Sequence, residues 1–443
     1  MAENNNIPKH WEIKKLGEVC DVLDNLRKPI NSSERQQRIS GKNKNELFPY
    51  YGATGQVGWI DSFITDGEYI LIGEDGAPFL DLFKDKAYKI YGKTWVNNHA
   101  HILKGKESII LNDFILYYLN SINYREFVNG TTRLKLTKNN LIDIPFVLPP
   151  LPEQQAIVSK IEELLSALEN GKQQLQTAQQ QLKVYRQSLL KWAFEGKLTR
   201  LNHDPSDLHD EHDLNIAAES QIEYIKNQGS DNLPKGWKWV KIIDIVENNK
   251  HSLKAGPFGS SLKKEFYVAN GYKIYGQEQV INDDPFYGDY YINDEKYQEL
   301  KSCKIKPSDV LISLVGTVGK VLILPENCKE GIINPRLIKI SLNKEIYLAK
   351  FFKYYFEGSF VKNLYVSKAQ GTTMNVLNLG IIKSIPFPLP PIEEQQLIVQ
   401  ELESKLTVCD KIEETISHSL QQAETLWQSI LKKAFEGRLV NEK

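Results

Sequence analysis

Four cysteines in 443 residues, Cys20, Cys303, Cys328 and Cys409, are too few and too scattered to staple a fold. No CxxC pair occurs, so neither a disulfide framework nor a zinc site is expected, and the thiols read as reduced cysteines of a cytoplasmic protein. No run of about 18 apolar residues exists, so no membrane-spanning helix is expected. The opening MAENNNIPKHWEI lacks the basic-then-apolar pattern of a signal peptide.

Catalytic signatures are missing too. GTVGK (316–320) resembles a fragment of a P-loop, but it is not one, since Leu314 and Val321 stand where the motif needs Gly and Ser or Thr. There is no DPPY or NPPY to hold a flipped adenine, so the chain is not expected to methylate DNA by itself. GxSxG and HExxH are absent. HDPSDLHDEHD (203–213) gathers His203, His209 and His212 among acids, and it reads as a solvated linker, not a metal site.

Net charge is also nearly absent, at −1, but it is unevenly spread. Between His203 and Asn232 eight acids face only Lys226, so the rest of the chain is mildly basic, which permits a DNA partner without demanding one.

What the chain does have is a repeat. LPPLPEQQAIV (148–158) returns as LPPIEEQQLIV (389–399), and AFEGKL (193–198) as AFEGRL (434–439), at one common offset of 241. Across 149–198 and 390–439, 20 of 50 aligned positions are identical. GTT at 130–132 maps onto GTT at 371–373, and IPKHW (7–11) matches LPKGW (233–237). The order is domain, helix, linker, domain, helix. The expected boundaries are 1–148 and 233–389 for the two globular domains, 149–198 and 390–443 for the two helices, and 199–232 for the acidic linker.

The repeated segments carry coiled-coil seams. In the first, Ile157, Ile161, Leu164, Leu168, Leu175, Leu182, Tyr185 and Leu189 keep alternating steps of three and four, with Gly171 and Ala178 filling the gaps. In the second the seam is Leu402, Leu406, Cys409, Ile416, Leu420, Ala423, Trp427 and Ile430, with Glu413 the polar intruder. Pro152 suits a first helical turn, Glu153, Glu393 and Glu394 suit the positive end of a helix dipole, and Gly196 and Gly437 suit left-handed C-caps. About 43 residues make a rod of roughly 65 Å. One such rod cannot bury its own seam. Two in one chain can pack antiparallel, or each can lie on its own domain. Whether the glutamines at 154–155 and 395–396 meet a partner or cap the rod stays open.

The intervening domains mix strands, such as EYILIG (68–73), HAHILK (99–104), DVLISLVG (309–316) and RLIKISL (336–342), with aromatic-rich helices at 113–128 and 348–365. The expected fold class is therefore α+β: two globular domains joined by two long helices packed as an antiparallel coiled coil, tandem duplicated with pseudo-two-fold symmetry. Their loops are rich in small and hydrogen-bonding residues, which let backbone approach phosphate and side chains reach base edges. In the first domain the candidates for DNA contact are Tyr51, Thr54, Asn97, Asn98, His99, His101, Thr131, Thr132, Arg133 and Lys135, with His99 and His101 expected on one strand face. In the second they are Ser260, Ser261, Lys263, Gln277, Thr317, Lys320, Asn334, Arg336, Thr372 and Thr373.

This plan resembles the specificity subunit of type I restriction–modification systems over nearly the whole chain. The paired proline-rich helix starts and AFEG(K/R)L ends carry the likeness. WVNNHAHILK with PYYGATG, and AGPFGSSLKK with YGQEQ and GIINPR, look like recurring signatures of target-recognition domains. The resemblance implies a non-catalytic subunit whose two domains each read half of an asymmetric, two-part duplex DNA target, with the helices as ruler and dock. It implies two modification (methyltransferase) subunits that hold S-adenosylmethionine and methylate adenine N6. It further implies two restriction (translocase and nuclease) subunits using ATP and Mg²⁺ in complexes that cleave, with no cofactor, metal or membrane on this chain. The competing readings are a stand-alone bivalent DNA-binding regulator that dimerises through coiled coils, and a self-contained nuclease.

Overall fold

The computed structural model describes residues 7–199, 233–369 and 377–440. The acidic stretch with His203, His209 and His212, and the second GTT with Thr372 and Thr373, lie outside the described residues. The chain forms two compact units, one from 1–177 with 415–443 and the other from 178–414. Each therefore joins a globular domain to part of both long helices.

In the first unit β1 (Glu12–Lys15) pairs antiparallel with β10 (Pro145–Leu148), closing the domain where it begins and ends. Between them lie two four-stranded sheets. One runs β2 (Cys20–Val22), β9 (Ala100–Gly105), β6 (Tyr69–Gly73), β7 (Ala87–Ile90); the other runs β4 (Gly55–Ile60), β3 (Phe48–Gly52), β8 (Lys93–Val96), β5 (Thr65–Asp66). Strands β3 and β8 are parallel. Ile70, Leu71 and Ile72 are all buried, as expected for a central strand covered on both faces.

The second unit repeats this plan. Strand β11 (Lys238–Val240) pairs with β19 (Phe387–Leu389). A four-stranded sheet runs β12 (Leu253–Ala255), β18 (Leu337–Ile340), β15 (Val310–Ser313), β16 (Val321–Ile323). A three-stranded sheet runs β14 (Tyr291–Ile292), β13 (Tyr272–Tyr275), β17 (Gly331–Ile333), with β13 and β17 parallel. All four quoted strand runs form strands. The two aromatic-rich helices come out shorter. The first spans Asn112–Ser121, where the Ser121 hydroxyl donates back to the Tyr118 carbonyl. The second divides at Gly358 into Ala349–Glu357 and Ser359–Ala369.

The long helices span Leu151–Phe194 and Ile392–Phe435. Both end in the expected left-handed glycine, Gly196 at φ 67° and Gly437 at φ 70°. The amides of Lys197 and Arg438 close each C-terminus on the carbonyls of Trp192 (2.8 Å) and Lys433 (2.9 Å), a Schellman arrangement. A side chain at either glycine would also strike a proline, since an added Cβ would lie 2.3 Å from Pro234 or 2.2 Å from Pro8. The PKxW strings thus seat on the helix ends.

Both packing options for the helices are realised together. In the first unit Ile157, Val158 and Ile161, from the start of one helix, share a core with Ile430, Leu431, Ala434 and Phe435, from the end of the other, and with the domain. In the second unit Leu182, Leu189 and Ala193 meet Ile398, Leu402 and Cys409 in the same way. The pairing within each unit is antiparallel. Glu413 is polar because it joins Asp410 in holding Arg186, at 3.0 and 2.7 Å. Phe435 stands edge-on to Phe114 and Tyr118 (5.2 and 5.1 Å), as Phe194 does to Phe351 and Tyr355 (5.2 and 5.1 Å).

Gln154 and Gln395 are fully buried locks between helix and domain. The Gln154 amide accepts from Leu111 N–H (3.0 Å) and donates to the carbonyls of Ile109 (3.0 Å) and Pro149 (2.8 Å). Gln395 does the same with Leu348 N–H (2.9 Å) and the carbonyls of Ile346 (2.9 Å) and Pro390 (3.0 Å). Their neighbours Gln155 and Gln396 are exposed. Removing either lock strands one buried backbone donor and its acceptors, at about 1–3 kcal/mol. Gln154→Ala and Gln395→Ala should each lower the urea midpoint accordingly, whereas Gln155→Ala should leave it unchanged.

Candidate nucleic-acid interface

In both domains the parallel strand pair delivers a Tyr-Gly end and an Asn turn to one sheet edge. In the first, Asn97 N–H donates to the Tyr51 carbonyl (3.1 Å), and the Asn97 side chain accepts from His99 N–H (2.8 Å). In the second, Asn334 N–H donates to the Tyr275 carbonyl (2.8 Å), and its side chain accepts from Arg336 N–H (2.9 Å). This side-chain turn is a strong local preference of Asn. Gly52 and Gly276 lie beside the Asn amides, where an added Cβ would come within 3.2 and 2.7 Å.

The loop after the neighbouring strand completes the frame. Glu74 N–H donates to the His99 carbonyl (2.7 Å) and Leu314 N–H to the Arg336 carbonyl (3.0 Å). Gly76 and Gly316 turn these loops at φ 72° and 71°. Leu136 N–H then donates to the Glu74 carbonyl (2.7 Å) and Leu377 N–H to the Leu314 carbonyl (3.2 Å), docking the segments that follow each GTT.

On this shared frame the side chains differ. In the first domain Asp75 bonds His99 Nδ1 (2.7 Å) and Arg133 Nη2 (2.9 Å). Glu74 pairs with Arg27 and with Lys135 (3.0 Å). His101 does not share a face with His99: β9 begins at Ala100, leaving His99 half-exposed in the turn. The His101 ring is buried, with Nδ1 2.8 Å from Asp24 and Nε2 2.9 Å from the Leu136 carbonyl. Asn97 is buried as well, while Asn98, Thr54, Thr131, Thr132, Arg133 and Lys135 are exposed. Tyr51 stacks on Tyr88, whose hydroxyl bonds the Gly52 carbonyl.

In the second domain Gln277 donates to the Val315 carbonyl and accepts from Arg336 Nη1 (3.4 Å). Gly256 packs so closely on Asn334 that an added Cβ would lie 1.8 Å from its carbonyl, which joins the 255–264 loop to the cluster. Ser260, Lys263 and Thr317 are exposed and Ser261 half-exposed; Lys263 lies 3.5 Å from Glu265. Lys320 stands apart, 3.8 Å from Glu357 on a helix.

Sequence reasoning missed Asp24, Arg27, Glu74 and Asp75, the last two of which lie in the GEDGA loop (73–77). It also missed the match of VNNH (96–99) to INPR (333–336), which sits at an offset of 237, not 241. Aligning each domain separately would have found it.

Burial pushes the carboxyls of Asp24 and Glu74 up, but hydrogen bonds and charge attraction together outweigh it. His101 and Arg27 hold Asp24 below its ordinary value, and Lys135 and Arg27 hold Glu74 below its own. Carboxyls lowered in this way stabilise the fold fully above about pH 5, and that contribution is lost as pH falls through the lowered folded values. The first domain should therefore lose stability in acid, and Asp24→Asn should flatten that loss in melts taken from pH 6 to 3.

Among the described residues no His, Cys, Asp and Glu cluster could hold a metal, and no helix is long and apolar enough to cross a membrane. Comparison with known proteins decides the family. The model of the type I restriction modification DNA specificity domain matches twice, over 8–177 and 234–422. The chain belongs to that family. As a type I specificity subunit it carries two recognition domains and is the DNA-recognition component, not a catalytic one. A Haemophilus influenzae chain assigned as a type I restriction enzyme specificity subunit is 29% identical over 94% of this chain and 93% of its own. The Escherichia coli EcoDI specificity subunit is 23% identical over 98% and 89%. The solved HsdS subunit from Thermoanaerobacter tengcongensis shares the fold at TM-score 0.58 and 18% identity, over 99% of this chain and 100% of that one.

Proposed function

We propose that this specificity subunit recognises a two-part, asymmetric duplex DNA target, each domain reading one half and the helix pair fixing the gap. The recognition domains are placed at 1–148 and 233–389, the spacer helices at 149–198 and 390–443, and the acidic linker at 199–232. In the cytoplasm the chain directs two modification subunits, which hold S-adenosylmethionine, to methylate adenine N6. It directs two restriction subunits, which use ATP and Mg²⁺, to unmodified DNA. The observation that carries this reading is one backbone frame built twice with different side chains on it. That arrangement suits two related docking events on two different sequences. Two half-sites on one ruler also gain affinity through effective concentration when the spacing fits. The chain-to-chain coiled-coil regulator is disfavoured because the two ends of each helix already bury their apolar positions within the chain.

Exchange of residues 1–147 for the first domain of another family member should change one half of the methylated motif and leave the other intact. Changes in both halves would contradict the modular reading. One heptad inserted into each long helix, after Thr177 and after Glu414, adds about 10 Å of helix. The gap in the motif should then lengthen by about three base pairs, at roughly 3.4 Å each. An unchanged gap would contradict the ruler.

A further inference from the structure

His99 and Arg336 occupy the same place in the frame. Each residue's N–H is held by the Asn two positions earlier, and its C=O by the adjacent loop's backbone. A residue fixed at both backbone groups has little freedom left to lose on binding, yet here the side chain is polar and solvent-facing. His99 is half-exposed and Arg336 exposed. In the first domain Asn97 and His101 are buried, while Thr54, Thr131 and Thr132 are exposed with no such pair of bonds; Lys135 is exposed and bonded at both backbone groups, but to Asn129 (2.8 and 2.9 Å) and not within the Asn turn that the two domains share.

A neighbour also aims each of the two side chains. Asp75 takes His99 Nδ1 at 2.7 Å, which leaves Nε2 as the ring's outward hydrogen-bonding atom. Gln277, itself anchored on the Val315 carbonyl, takes Arg336 Nη1 at 3.4 Å and leaves Nη2 and Nε. Pre-aimed groups on a rigid frame bind at lower entropic cost and discriminate more sharply.

Building on the bipartite reading above, we propose that His99 and Arg336 are the equivalent base-reading residues of the two domains, with Asp75 and Gln277 as their positioning residues. Their chemistry makes the halves unequal. Arg336 has the planar fork that reads guanine O6 and N7 together, whereas His99 presents a single ring nitrogen and contacts one base-edge atom. The half-site read by the second domain should therefore contain a strongly required guanine, and the half read by the first a softer requirement at the equivalent position.

The test maps methyladenine by single-molecule sequencing in cells that carry the full chain with its modification subunit. His99→Ala should relax one base position in one half-site, and Arg336→Ala should relax a guanine in the other half by about 10-fold or more in relative methylation. Gln277→Ala should weaken discrimination at that same guanine while leaving the other half unchanged, a readout that general destabilisation would not give. Motifs as sharp as wild type in both alanine variants, or relaxation in the wrong half, would overturn the assignment. If an alanine variant abolishes methylation, His99→Gln or Arg336→Lys takes its place. One relaxed position then supports the assignment, and continued loss places the residue in the frame and overturns it. A wild-type chain that yields no two-part motif would instead defeat the bipartite reading itself.

Discussion

An amphipathic helix in water must cover its apolar stripe, and the rest of this structure follows from how that is done. Each long helix buries its start against the domain it follows and against the far end of the other helix. The cover comes from Ile157 and Ile161 with Ile430 and Ala434 in one unit, and from Leu402 and Cys409 with Leu182 and Leu189 in the other. Neither helix is complete without the other. The same contacts fix how each domain meets its helix: Gln154 and Gln395 lock the start, and the PKxW segments and aromatic pairs grip the end. A spacer built this way is a consequence of burial, and a recognition domain anchored at both its ends cannot drift along it.

The domains divide their residues between frame and reading surface. Asn97 and Asn334, Gly52 and Gly276, and Gly76 and Gly316 are alike because the backbone path needs them. His99 and Arg336, or Asp75 and Val315, can differ because they sit on that path without shaping it. The first domain's surface is held by charge, with Asp24, Glu74 and Asp75 balanced by Arg27, Arg133 and Lys135. The second is held by hydrogen bonds of the Gln277 side-chain amide, which donates to the Val315 carbonyl and accepts from Arg336. A nearly neutral chain can thus carry basic groups toward DNA while tethering them locally to acids.

Much of this was legible in the sequence for physical reasons. Helix caps, seams and the duplicated plan depend on neighbours three or four residues apart, so Pro152, Gly196, Gly437 and the a/d pattern announced themselves. The loops that gather at the sheet edges also contained most of the candidate residues. What stayed hidden depended on distant partners. Nothing near Gln154 shows that it bonds Leu111 and Ile109, and nothing near His101 shows that Asp24 waits for it. The equivalence of His99 and Arg336 was masked because the spacing between domain and helix differs by four residues in the two halves.

The most direct measurement of the central claim is methyladenine mapping across the host genome with and without this gene. The account predicts one two-part motif with a fixed gap and a methylated adenine in each half, lost when the gene is deleted and restored by the intact chain. Methylation unchanged by the deletion, or a motif that is continuous instead of split, would contradict it.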